Sequence, residues 1–367
     1  MFEEYIMLTD SHGSKPLHLR GIVLPEGIEK DVFVVNGYIT FQPQENATTI
    51  LKSGYLLPGL VDAHAHLALA SPAGEIASAE EQVHASARTQ LEAGVLAIRE
   101  PGGPNYLSGK IGPQEGLPRV FNAGRMLAPK GRYFPGLGRE ADDASLPDFA
   151  EDEARRSGAW VKVIGDFTDS TGRISPNYKS ESLTKAAQRV HALGARITIH
   201  ATTAEVIGFA IEAGFDSIEH GIGIEEDHLV EMSKSKIVLV PTMVILEYGP
   251  HFLPGIGLTY DEVDHELELF KKHPDMVRRA FDAGVKILAG TDAGLVPHGL
   301  IAKEIGLLID SGLPQEAALA AGSWEARRYL GLPCIEEGAP ADITAYPDDP
   351  RGDLEALSHP VLRMLGA

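Results

Sequence analysis

The sequence predicts an α/β fold. A (β/α)8 TIM barrel is expected over residues 58–330, with a small composite β-sandwich domain built from both chain ends, 1–57 and 331–367. Three observations carry this. Eight short apolar runs alternate with helical segments between 58 and 330, and that alternation implies βαβ units around a parallel sheet. Eight units in about 270 residues match the count and size of a closed barrel. The two ends are strand-like and turn-rich, and neither alone would bury much of a core.

Taken in order, LHLRGIVLP and DVFVVNGYITFQP carry alternating apolar residues, and Asn36-Gly37 is a hairpin turn signal. The barrel runs follow: GLVDAH (59–64), VLAIRE (95–100), RVFNAGRML (119–127), WVKVIG (160–165), RITIHA (196–201), DSIEHG (216–221), IVLVPTM (237–243) and KILAGTD (286–292). Gly94, Gly194, Gly214 and Gly284 sit just before a run, where a helix C-terminus favours a left-handed residue. Val83, Ala87 and Leu91 mark one apolar helix face. After 330, EEGAPADITAYPDDPRGDLEAL returns to strand and turn.

Composition narrows the function. Of 367 residues, 44% are hydrophobic and 23% charged, a normal globular balance. No apolar run reaches the ~18 residues of a membrane span. The acidic start MFEEYIMLTDSHG has no signal-peptide pattern. The single cysteine, Cys334, excludes an internal disulfide framework and fits a reducing, cytoplasmic setting. A net charge of −20 speaks against nucleic acid or an anionic membrane as partner. A small-molecule substrate is expected, and a homo-oligomer is left open.

The sharpest motif is Asp62-Ala63-His64-Ala65-His66 at the end of the first run. Residues i and i+2 of a strand share a face, so His64 and His66 can point together into the barrel mouth. Two imidazoles suit zinc or a similar divalent ion. His200, His220 and Asp292 end later runs, and Lys162 lies within the fourth. Polar groups in apolar runs are costly to bury unpaired, and a metal centre satisfies them together. Val161 and Val163 flank Lys162, so alternation turns Lys162 inward. A buried amine loses its proton readily. It can then add carbon dioxide to give a carbamate whose two oxygens can bridge two metals. The alternative is a lysine paired with Asp166 or Glu100.

LPGLVDAHAH, WVKV, ITIHA, SIEHG, VPT, AGTDAG with His298-Gly299, and GAPADITAYPDDP together resemble the amidohydrolase superfamily. The likeness is to its Xaa-Pro dipeptidase and imidazolonepropionase-like branch. The resemblance implies that His64 and His66, with Asp292, bind one metal. It implies that His200 and His220 bind a second, and that Lys162, as N6-carboxylysine, bridges both. Two divalent ions, zinc foremost with manganese or iron as alternatives, would then generate a bridging hydroxide that attacks an amide. Asp292 would act as general base. Dipeptides, N-acyl amino acids and related small amides or lactones are the expected substrates.

This chain departs from the branch at three loops. His200-Ala201-Thr202 replaces a His-Ala-Tyr pattern. Lys130 to Gly136 replaces a Gly- and His-rich stretch. Gly165-Asp166-Phe167 replaces a glycine pair. Arg132 and Tyr133 are candidates for a carboxylate or carbonyl contact, with Tyr106, Tyr248 and His298 as further pocket candidates. A mononuclear deaminase or cyclic amidase is the alternative activity. Thr203 stands where deaminases carry a proton-shuttling glutamate, and Lys162 would have no role there. A non-enzymatic scaffold is the third reading, and retention of all six ligand positions argues against it.

Overall fold

A computed structural model of the chain describes residues 4–7, 15–69 and 78–366. Apart from Glu4–Met7, the acidic segment 1–13 lies outside them. Strands from both ends share one hydrogen-bonded sheet. Its order is Glu4–Met7, Leu362–Leu365, Ile343–Tyr346, Tyr55–Pro58, Leu17–Val23, Ile28–Val35 and Tyr38–Thr40, with Thr48–Leu51 also pairing Leu17–Val23. Ile343–Tyr346 runs antiparallel to Tyr55–Pro58, with Thr344 opposite Leu57. Leu19, Val32, Leu56, Ile343 and Met364 pack beneath it. The same cluster takes every second residue of a strand, as in Val32 and Val34, Ile343 and Ala345, and Leu362 and Met364, so one face of the sheet is apolar. Asn36 and Gly37 both take positive φ, 50° and 83°, and close the hairpin between Ile28–Val35 and Tyr38–Thr40.

The middle of the chain is a parallel α/β array consistent with a TIM barrel. Leu60–Asp62, Val95–Glu100 and Arg119–Asn122 form one sheet. Met126–Ala128, Trp160–Ile164, Arg196–Ala201, Ser217–His220, Val238–Val240 and Lys286–Ile287 run consecutively in a second, with Gly138–Glu140 at its edge. The ladders do not join into one closed ring, and the reasons are local. The third run breaks at Gly124, whose φ is +68° and whose N–H bonds to the Asn122 side chain. The eighth run pairs only through Lys286 and Ile287. Beyond it Gly290 lies so close to the first strand that a Cβ would meet the His64 backbone nitrogen at 2.9 Å. Backbone hydrogen bonds still cross there, from Ala63 to Ala289, Asp292 to His64 and His66 to Ala293 (2.9, 2.7 and 2.7 Å).

Helices cover the outer face. Val161, Val163, Ile197 and Ile199 pack against Leu183, Ala187 and Val190 of helix Ser180–Ala192 in the main core. The opposite face of the same strands turns inward and carries Lys162. Among the described residues no helix is long and apolar enough to cross a membrane.

Candidate metal centre

Strand ends and the turns after them bring His64, His66, Lys162, His200, His220 and Asp292 around one cavity. All except His200 are at least nine-tenths buried, and His200 is half-buried. The rings of His64 and His66 lie 5.2 Å apart, His64 and His220 also 5.2 Å, and His200 and His220 4.6 Å. Single ligand atoms of His64, His220 and Asp292 fall within 4.8 Å of one another.

The Nδ1 partners decide what faces the cavity. His66 Nδ1 donates to the Gly102 carbonyl at 2.6 Å, since a carbonyl only accepts. His64 Nδ1 donates to the Glu219 carboxylate at 2.6 Å. His220 Nδ1 meets the Thr242 hydroxyl at 2.8 Å. In neutral His64 and His66 the proton sits on Nδ1, so Nε2 presents a lone pair. Those two Nε2 atoms lie 3.2 and 3.3 Å from Asp292 Oδ1, a buried oxygen that accepts no hydrogen bond. Lone pairs facing a carboxylate oxygen repel. A divalent cation shared by these atoms removes the repulsion and satisfies the orphaned oxygen, so the donor set fits a metal.

Charge states agree with a ligand set. Burial lowers His66, and burial takes His200 down to about 3, with Lys162 adding to the effect. Burial and the neighbouring His200 hold His220 well below the ordinary imidazole range. Burial pushes the Asp292 carboxyl up, but in their protonated forms His64, His66 and His220 more than offset it and hold it well below the usual carboxylate range. Burial lowers the Lys162 ammonium to about 8, against the pull of Glu219 and Asp292. Lys162 forms no ion pair within 4 Å among the described residues, with Asp166 and Glu100 or any other acid. Asp166 instead accepts hydrogen bonds from the backbone and hydroxyls of Thr202 and Thr203 and lies 3.5 Å from His200 Nε2.

Beneath the histidines lies a pair that the sequence reading missed. Glu219 receives both bonds of an ion pair from Arg99 Nη2 (2.8 and 2.7 Å), plus Ser217 at 2.7 Å and the Thr198 hydroxyl. Arg99 also donates to the Ala63 carbonyl and Ser217, and its guanidinium stacks 5.0 Å from the Trp160 ring. Burial raises the Glu219 carboxyl, yet Arg99 and His64 hold it well below the ordinary value. Ser217 and Glu219 share the inward face by alternation, which would send His220 outward. His220 reaches the cavity because its φ is +66°. Thr242 and Asp292 take the same left-handed backbone, at +48° and +58°. For a non-glycine residue this conformation is costly, and it clusters at functional sites. Asp62 ties the first and eighth runs together, accepting from His64 N, Gln90, and both Thr291 N and Oγ1.

The substrate-contact candidates divide. Tyr133 lines the cavity, stacked edge-on to Phe134 and Phe167 at 5.1 and 5.2 Å. Its hydroxyl has no hydrogen-bond partner among the described residues, and burial and Asp292 raise its pKa. Arg132 turns the other way. Its Nη2 donates to the carbonyls of Phe167 and Ser175 at 2.9 and 2.8 Å, which stitches two loops together. Tyr106 donates to Glu153 outside the cavity. Tyr248 packs beside Val244 and Val296, and His298 lies buried beside Gln90. None of these last four lines the cavity. Phe252, Phe270 and Glu266 do, and sequence reasoning passed over them. For Glu266 and Phe270 the signal was an acidic residue at i with Phe at i+4 on helix Tyr260–Asp282, a helix that also buries His273, Met276 and Val277.

The amidohydrolase family model matches residues 55–361. An uncharacterized protein of Mycobacterium tuberculosis is 37% identical over 353 residues, covering 95% of this chain and 94% of that one. Among solved structures, a Xaa-Pro dipeptidase with methionine bound in its active site matches with a TM-score of 0.78 and 22% identity, covering 94% and 97%. The ochratoxinase of A. niger matches with a TM-score of 0.77 and 20% identity, covering 94% and 92%.

Proposed function

Since the chain belongs to the amidohydrolase family and is a hydrolase of carbon–nitrogen bonds, we propose that it is a binuclear metal-dependent amidohydrolase cleaving a small amide. One observation carries this: two lone-pair nitrogens, of His64 and His66, converge with a buried, hydrogen-bond-free carboxylate oxygen of Asp292. His64, His66 and Asp292 would hold one divalent ion, and His200 and His220 a second. Lys162 would span them as a carbamate, formed when its neutral Nζ adds carbon dioxide and gives up a proton. Such ions lower the pKa of a water and polarise the scissile carbonyl.

The chain's own residues do the rest. Asp292 takes the proton of the attacking water and delivers it to the leaving nitrogen, which an amide requires because an amine anion leaves poorly. Tyr133 keeps its phenol protonated and donates to the oxygen on which negative charge develops. Glu219 and Arg99 hold the His64 ring so that its Nε2 faces the cavity. The aromatic walls exclude bulk water and strengthen each of these interactions. We read the sheet formed by residues 1–57 and 331–367 as a separate domain beside this catalytic unit.

The test is metal content per chain together with hydrolysis of a panel of small amides with added zinc or manganese. About two equivalents and turnover support the proposal. One equivalent with deamination, or inertness of the fully loaded protein, overturns it. Lys162→Ala is expected to be inactive and partly rescued by a small carboxylate. Wild-type activity in that variant would remove the bridging role.

A further inference from the structure

The cavity above the histidines is walled by Phe134, Phe167, Ile245, Phe252, Ile256 and Phe270. Phe134 and Phe167 meet edge-to-face at 5.3 Å. Among the described residues Lys162 is the only lysine or arginine lining it, and it sits on the floor with the ligand histidines. Arg132 is spent on backbone carbonyls. Arg173, Lys272 and Arg279 line a neighbouring groove instead. A substrate carboxylate entering among the aromatic rings would therefore be desolvated with no cation on the walls to pair with, at a heavy cost.

The wall carries one acid. Glu266 is only 5% exposed, lines both the cavity and the neighbouring groove, and makes no hydrogen bond or ion pair among the described residues. Burial, with Asp166 and Glu262 adding to it, pushes its carboxyl up to about 7. A nitrogen donor placed against it would supply the missing partner and favour the ionised form. Resting on the amidohydrolase reading, we propose that the cavity selects an apolar amide that presents an amine or N–H to Glu266 and carries no free carboxylate.

Three matched ligands separate the parts of this proposal: phenylalanyl-pyrrolidide, phenylalanyl-proline, which adds only a carboxylate, and 3-phenylpropanoyl-pyrrolidide, which lacks only the amino group. With the metal-loaded wild type, phenylalanyl-pyrrolidide should exceed each of the others in kcat/KM by about tenfold or more. Affinities measured by calorimetry should follow the same order. Glu266→Gln should bring the ratio between the two pyrrolidides close to one while its metal content stays that of the wild type. Equal or better use of phenylalanyl-proline, or a ratio unchanged in Glu266→Gln, overturns the proposal. The calorimetry stands apart from turnover. If none of the three is cleaved but the affinity order holds, the hydrolase reading fails and the ligand preference survives. If no such order is found, the preference fails.

Discussion

The floor and the walls of the cavity are built on opposite plans. On the floor, charged groups are packed at high density and several are tied: Arg99 to Glu219, Glu219 to His64, His66 to Gly102, His220 to Thr242. The walls are aromatic and aliphatic, with one untethered acid, Glu266. The floor fixes atoms that must not move, because ligand geometry depends on partners one bond further out. The walls fix shape and polarity and keep bulk water out. Apart from Tyr133, chemistry and selection are thus assigned to different elements, strand ends for the first and post-strand loops and a long helix for the second.

Substitutions can break this division, the strongest on the floor. Asp292→Asn should lower kcat by about a thousandfold or more while much of the metal is retained. Steady-state kinetics with metal analysis would check this, and retained turnover would free Asp292 of its proton-carrying role. Glu219→Gln is expected to weaken metal affinity by about 10- to 100-fold, because the His64 ring loses its anchor. Competition with a chelator would measure it. In the walls the effect should fall on selection. Phe167→Ala should raise KM for an apolar amide about tenfold with kcat nearly unchanged, since the ring meets substrate and transition state alike. A fall in kcat with KM constant would mean that the wall also positions the reacting atoms.

The smallest expected effect concerns Glu304, which links the two regions. It accepts from the backbone N–H groups of Met243 and Val244, at the start of the helix Val244–Phe252 that supplies Ile245 and Phe252 to the wall. Burial raises its carboxyl to about 8 from an ordinary value of 4.5. A raised folded-state value favours the folded protein fully below the ordinary value, and that contribution is lost as pH rises through about 8. Glu304→Gln should therefore flatten the dependence of urea-unfolding stability on pH between about 5 and 8. An unchanged slope would place the titration elsewhere.

Much of the floor was legible in the sequence because strand periodicity is short and strict. Val161 and Val163 set the direction of Lys162, and the spacing of His64 and His66 placed both on one face. Where periodicity stops, legibility stopped too. Arg132 and Tyr133 are neighbours on a turn, and nothing local says that the guanidinium turns away to loop carbonyls while the phenol enters the cavity. Arg99 and Glu219 were visible as charges in apolar runs, but their pairing spans 120 positions of sequence. The expected unbroken ring of eight strands overlooked Gly124 and Gly290, where close approach and positive φ interrupt the ladder.

His220, Thr242 and Asp292 hold three successive strand ends in a backbone shape that a β-branched residue such as Thr242 adopts at a penalty. Selection for heat resistance alone should therefore drift toward glycine or asparagine at position 242. Such variants would melt later and work worse, because the relief of strain would come with a loosened grip on the His220 imidazole.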